Sequence, residues 1–195
     1  MNAYLKKMFT AAAIGLSVVT LTQCAHDPVT KMNAANASGA KIAADSRKAL
    51  ADLYAQDSNA RKIGNKASAV LVFPEIVKGG FMVGAEGGNG ALISGGSVSR
   101  FYQTAGASFG LQAGVQKFGY ALFLMSPSDV RNLDEAGGWE VGSSPTLVVI
   151  DRGKSTSLST KTMEKGVYAY FFDQKGLMAG LSLKGSKITR IHPGQ

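Results

Sequence analysis

Apolar positions along this chain change their period twice. From Ala11 to Leu21 they run nearly unbroken and without charge. Between Ile42 and Tyr54 they fall at Ile42, Ser46, Ala49, Leu50, Leu53 and Tyr54, the three-and-four spacing of one helix face. Lys41, Asp45, Lys48 and Asp52 mark the opposite face, and Ser38 supplies an N-cap. The pattern predicts a helix over about 38–56, packed by one stripe on a sheet, with a second helical turn over 58–65. Lys48 stands four residues before Asp52, which adds weak support.

From Ala67 onward the alternation is that of strands. Val70–Phe73 reads as a short strand stopped by Pro74. Phe81, Val83 and Ala85 alternate with Met82, Gly84 and Glu86, and Gly87-Gly88-Asn89-Gly90 predicts the turn of a hairpin that returns at Ala91–Ile93. Between 106 and 116 one face is apolar (Ala107, Phe109, Leu111, Ala113, Val115) and the other almost bare (Gly106, Ser108, Gly110, Gln112, Gly114, Gln116). Tyr120–Met125 is apolar on both faces, so one strand starts half-exposed and ends buried, with Gly119 as a bend or bulge. Ser126-Pro127-Ser128-Asp129 starts a short helix reaching about Glu135 and ending at Gly137-Gly138. Leu147–Ile150 is a strand, 167–172 and 177–183 form a hairpin around Asp173–Gly176, and Lys187–Ile191 is the last strand. The expected fold is α+β: a mainly antiparallel, strongly bent sheet or barrel-like core, with an N-terminal helix and one or two short helices.

Composition narrows the chemistry. The chain has 195 residues, 45% of them apolar, enough for one buried core. Twelve of its 24 glycines lie between Gly79 and Gly119, so the glycine content belongs to the sheet. A single cysteine excludes an internal disulfide and cysteine-cluster metal sites. The two histidines, His26 and His192, sit near the chain ends, which argues against histidine-based metal or acid–base chemistry. Gly106-Ala107-Ser108-Phe109-Gly110 fits G-x-S-x-G, but a nucleophile elbow needs a helix after the serine, and here strand alternation continues. No dinucleotide or phosphate-loop glycine spacing occurs. Asp134 and Glu135 are adjacent and diverge on a helix, while Asp151 and Asp173 sit where turns favour Asp. No catalytic residue, metal or cofactor is expected.

The amino-terminal run carries a different message. Lys6 and Lys7 precede an uncharged stretch from Met8 to Thr22, shorter than the ~20 residues a spanning helix needs. This is the pattern of a signal peptide. Cys24 follows Leu21-Thr22-Gln23, which resembles a bacterial lipobox whose cysteine is acylated; Gln23 departs from the small residue usual there. An ordinary secretory signal with a free cysteine is the alternative. The expected division is a signal over 1–23, a tether over 24–37 and one domain over 38–195. Cleaved at Cys24, the chain falls from +8 to +6, and Ala25 favours the outer membrane by resemblance to Gram-negative lipoproteins.

Six basic residues after position 160 (Lys161, Lys165, Lys175, Lys184, Lys187 and Arg190) face only Glu164 and Asp173, and aromatic strands lie beside them. Cationic turns near aromatics suit an anionic lipid headgroup. They also suit nucleic acid, which an exported protein does not meet. Three ordered segments, Lys66–Gly84, Gly106–Gln116 and Lys175–Ser186, resemble the SYLF domain family, and the likeness spans about Ser38 to Ile191. The resemblance implies a non-catalytic domain that binds acidic phospholipids; some members also bind actin, which an envelope lacks. The candidate headgroup contacts are Lys78, Lys117, Lys165, Lys175 and Lys184. The structural glycines are Gly79, Gly80, Gly84, Gly110, Gly114, Gly176 and Gly180. A second reading is a structural or adaptor lipoprotein that binds an envelope protein through the bare 106–116 face and touches membrane only through Cys24.

Overall fold

The structure is a computed structural model describing residues 38–134, 138–140, 147–150, 166–175 and 186–194, without the side chains of 81–83, 108–113, 147, 150, 174 and 175. Helix α1 (Gly39–Gln56) starts where the sequence places it, with the Ser38 side chain accepting from the Lys41 amide. Helix α2 (Ser58–Gly64) follows after Asp57, whose carboxylate accepts from the amides of Asn59 and Ala60. Helix α3 (Pro127–Asn132) is fixed by a reciprocal cap between Ser126 and Asp129. α3 is shorter than expected: it ends at Asn132 with Leu133 as its C-cap, and the Asp134 amide turns back to the Arg131 carbonyl, so it does not reach Glu135.

Among the described residues six strands form one mostly antiparallel sheet: β1 (Ala69–Ser94), β2 (Ser97–Leu124), β3 (Trp139–Glu140), β4 (Leu147–Ile150), β5 (Val167–Lys175) and β6 (Ser186–Ile191). β1 and β2 make one hairpin of unusual length, paired from Ala69↔Leu124 to Ser94↔Ser97. On its other side β2 pairs with β5 through residues 117–124 and with β6 through residues 101–106. β3 pairs antiparallel with β6, and β4 lies parallel to β5 at one margin, the exception to the antiparallel rule. The strongly curled, α+β architecture is the one expected.

Three local expectations need correction. Gly87–Gly90 is not a turn. These residues are strand, paired with Ala105–Tyr102, and the turn lies at Gly95-Gly96, both with positive φ. Pro74 does not stop a strand. It sits in a bulge where the register shifts between Phe73 and Ile76, and β1 continues beyond it. At the other hairpin, β5 runs on through Asp173, which takes a φ of 53°, to Lys175, so the expected break at 173 is absent. Its expected partner arm, 177–183, lies outside the described residues.

The first two corrections have one physical cause. The long hairpin folds over on itself, so that the far half of β1 meets the near half. A Cβ on Gly88 would overlap the Glu75 carbonyl and the Ile76 side chain, and one on Gly90 would overlap the Val72 carbonyl and the Phe73 ring. These glycines serve close approach of strands, not chain reversal. The fold makes an inner face lined by Leu71, Phe73, Ile76, Leu92, Tyr102, Phe118, Tyr120, Leu122, Leu124 and Phe171. The outer face, with Val70, Val72, Ala121, Phe123, Tyr168, Tyr170 and Phe172, is covered by Ala49, Leu50 and Leu53 of α1 and by Ala60 and Ile63 of α2. Fully burying an aliphatic or Phe side chain stabilises by about 1.5–3 kcal/mol, so two such layers sustain a domain of this size.

Replacing Gly90 by Ala is therefore expected to cost about 1–3 kcal/mol, because neither the Val72 backbone nor the buried Phe73 ring has room to move. A Gly95→Asn change, in a turn with open space around it, stays within about 0.5 kcal/mol. Urea unfolding of both variants checks the contrast; equal losses would contradict the close-approach reading.

Candidate functional site

The hairpin fold creates a distinctive end where β1 and β2 bend, over roughly 79–84 and 106–115. Gly79, Gly80 and Gly84 occupy β1 there, opposite Val115, Gly114 and Ser108. Gly110 and Gly114 occupy β2, and Gly114 has a φ of 134°, which favours glycine. A Cβ on Gly79 would make only ordinary contacts, so space does not demand glycine at that position. Gly176 and Gly180 are outside the described residues.

Three of the five candidate lysines share this end. Lys78 pairs in register with Gln116, and Lys117 faces Lys175 across the β2–β5 ladder. Lys165 and Lys184 lie outside the described residues. Lys117 is exposed, with its Nζ 3.1 and 3.2 Å from the two carboxylate oxygens of Glu75, a residue delivered by the Pro74 bulge. Val115, two positions before Lys117 in β2, is 64% exposed. Lys78 differs from the others. It is only 6% exposed, turned to the inner face, with its Nζ 3.6 Å from Glu86 Oε2.

Around Lys78 the inner face changes character. Glu86, Thr104, Gln116 and Ser186 are buried there, and Ser186 Oγ donates to Glu86 Oε1 at 2.5 Å. Among the described residues, Gln116 Oε1 has no hydrogen-bond partner, and the neighbouring Thr104 and Tyr120 hydroxyls have at most each other. Burial pushes the Tyr120 phenol far above its ordinary range; the Thr104 hydroxyl beside it offsets part of that, and the nearby Glu86 carboxylate adds to it. Sequence reading singles out Lys78 but misses Glu75, Glu86 and Ser186. Lys78 and Glu86 have the same parity on one strand, the one available sign that they share a face.

Other charges are accounted for locally. A groove of about 330 Å³ between α1 and the bulge is lined by Asp45, Asp52, Glu75 and Asp173 together with Lys41 and Lys48. Lys41 and Lys48 bond Asp45 and Asp52 one helical turn away, so neither lysine lining the groove is free for an anion. Arg61, Lys62 and Lys66 form a second exposed basic cluster, at the opposite end of the sheet. Arg61 and Lys62 occupy the last turn of α2, where the helix dipole suffices to explain them. Asp134, following α3, accepts from Arg100 Nη1 and the Tyr102 hydroxyl, both at 2.8 Å. Among the described residues no group of side chains could hold a metal ion, and no helix is long and apolar enough to cross a membrane.

Residues 105–192 match the family described as Ysc84, Las17-binding protein actin regulator. Over these residues the chain is similar to the Ysc84 domain, which is the SYLF domain that its sequence resembles. The match covers β2 from residue 105, α3 and the strands β3 to β6; β1, with the Lys66–Gly84 segment, precedes it. No curated protein matches the chain. The Ysc84 domain is a binding domain, not a known enzyme family.

The Tyr102 phenol is pushed up to about 12, chiefly by burial and further by its bond to Asp134. The neutral phenol is thus favoured in the folded state, and the stability it contributes is complete below pH 10 and lost as pH rises from about 10 through 12. Tyr102→Phe should flatten that alkaline loss, as read by thermal unfolding across the pH range; an unchanged profile would show that Tyr102 does not carry it.

Proposed function

We propose that the protein is a non-catalytic binding module for acidic phospholipid, held at the cell envelope by acylation of Cys24 and facing the periplasm from the outer membrane. One juxtaposition carries this reading. Lys117 and Lys175 occupy facing register positions, and exposed Val115 precedes Lys117 by two residues at the glycine-rich end of the sheet. Facing like charges destabilise a strand pair, so an anion that sits between them is favoured. Each lysine near an anionic bilayer contributes about 1 kcal/mol, and an apolar side chain beside them suits the interface. Such a patch is weak alone, as is a single acyl chain; the two together give stable attachment. Lys165 and Lys184 extend the same proposal. Lys78 joins it only when its contact with Glu86 is released.

A second reading has its own support. The family description itself speaks of binding a protein, Las17, and of actin regulation. An envelope location separates this chain from actin, so the adaptor version has the 106–116 face take an envelope protein.

The test is co-sedimentation of residues 25–195, without the apolar leader and Cys24, with vesicles of phosphatidylcholine alone or mixed with phosphatidylglycerol. Binding should rise with the anionic fraction and fall with salt. A Lys117→Glu, Lys175→Glu double variant should bind at least about tenfold more weakly, and Glu75→Gln, which unmasks Lys117, up to about fivefold more tightly. Equal binding to neutral vesicles would overturn the lipid reading. Capture of an envelope protein without any vesicle response would favour the adaptor.

A further inference from the structure

We propose that Lys78 and Glu86 form a latch that keeps the bent hairpin closed over its polar inner face. The two residues stand eight positions apart on the same strand, on opposite sides of the β1 bend that contains Gly79, Gly80 and Gly84. Their side chains meet on the inner face, Nζ to Oε2 at 3.6 Å, and both residues are 6% exposed. A pairing across a bend forms only when the bend is closed. Ser186 of β6 bonds the other oxygen of Glu86, so the closed state is also tied to the strand that pairs with 101–106. Gly106, opposite Glu86, leaves room for this arrangement: a Cβ there would stand 3.0 Å from both Glu86 Oε1 and Ser186 Oγ.

The chemistry makes the latch conditional. An ammonium and a carboxylate withdrawn from water are tolerated as a pair, whereas either alone is strongly unfavourable and draws solvent in. At 3.6 Å the contact is an ion pair without a short hydrogen bond, so the closed state is held less tightly than it could be. Beside it, Gln116 Oε1 is buried without a partner among the described residues, and the neighbouring Thr104 and Tyr120 hydroxyls have at most each other. Opening gives Gln116 Oε1 and this under-satisfied hydroxyl pair water to bond, which lowers the cost of opening at this end relative to the apolar end. Glycine-rich backbone between the two partners supplies the compliance. The bend thus opens as a local unit while the outer layer of α1, α2 and the residues beneath them stays packed. This inference does not require the lipid reading.

Amide hydrogen exchange of the full chain tests it directly. Lys78→Met leaves a lone carboxylate and Glu86→Gln a lone ammonium, and each should speed exchange across 79–86 and 106–116 by about tenfold or more, with α1 and residues 69–73 unchanged. The double variant Lys78→Met, Glu86→Gln removes both charges and keeps an acceptor for Ser186. It should exchange more slowly in the bend than either single variant. Three results would overturn the latch: single variants that exchange like wild type, a double variant faster than both singles, or acceleration spread evenly over the whole domain.

Discussion

The fold depends on how closely two halves of one strand approach. A hairpin of this length, left straight, would expose its faces to water. Folded over, it brings Gly88 and Gly90 against the carbonyls of Glu75 and Val72 and turns Phe73, Ile76 and Leu92 into an interior. Every other strand adds to a frame that this closure has already curled: β5 along the end of β2, β6 along its beginning. α1 and α2 then cover the outer face, and Ser46 of α1 donates from its buried hydroxyl to the Val72 carbonyl, which also lies over Gly90.

That closure divides the inner face into two chemical halves. One is an aromatic and aliphatic core, with Phe73 and Tyr120 rings 4.8 Å apart and Phe118 and Phe171 rings 5.9 Å apart. The other, near the bend, is built from Lys78, Glu86, Thr104, Gln116 and Ser186. The same bend sets the exposed end, where Lys117 and Lys175 take facing positions. Buried and exposed cations are thus one residue apart in register, Lys78 opposite Gln116 and Lys117 next along, and they differ in partner: Glu86 inside, Glu75 outside. The proposed lipid contact and the proposed latch both rest on a glycine-rich bend in one hairpin.

Much of this fold is legible in the amino-acid sequence. Ser38 and the Ile42–Leu53 stripe specify α1, because capping and helical period are local properties. The strand character of 106–125 and the α+β class follow from alternation. The turn is misplaced for a local reason as well: Gly87-Gly88-Asn89-Gly90 and Ser94-Gly95-Gly96-Ser97 both carry turn chemistry, and only the contact of Gly90 with Val72, a long-range fact, assigns the first to a strand. The burial of Lys78 is hidden for the same kind of reason. A lysine beside glycines reads as exposed until its carboxylate, eight residues on, is placed across the fold. The basic cluster at Arg61, Lys62 and Lys66 escapes a motif-led reading because it sits in and after a short helix away from the motifs.

The central claim is that β1 doubles back on itself, and nuclear Overhauser contacts in solution test it most directly. Cross-peaks are expected from the Gly90 α-protons to the Phe73 ring and from the Gly88 α-protons to the Ile76 methyls, because those pairs are in van der Waals contact in the folded hairpin. A spectrum with those contacts absent, and with Gly87–Gly90 showing the short-range pattern of a tight turn, would contradict it.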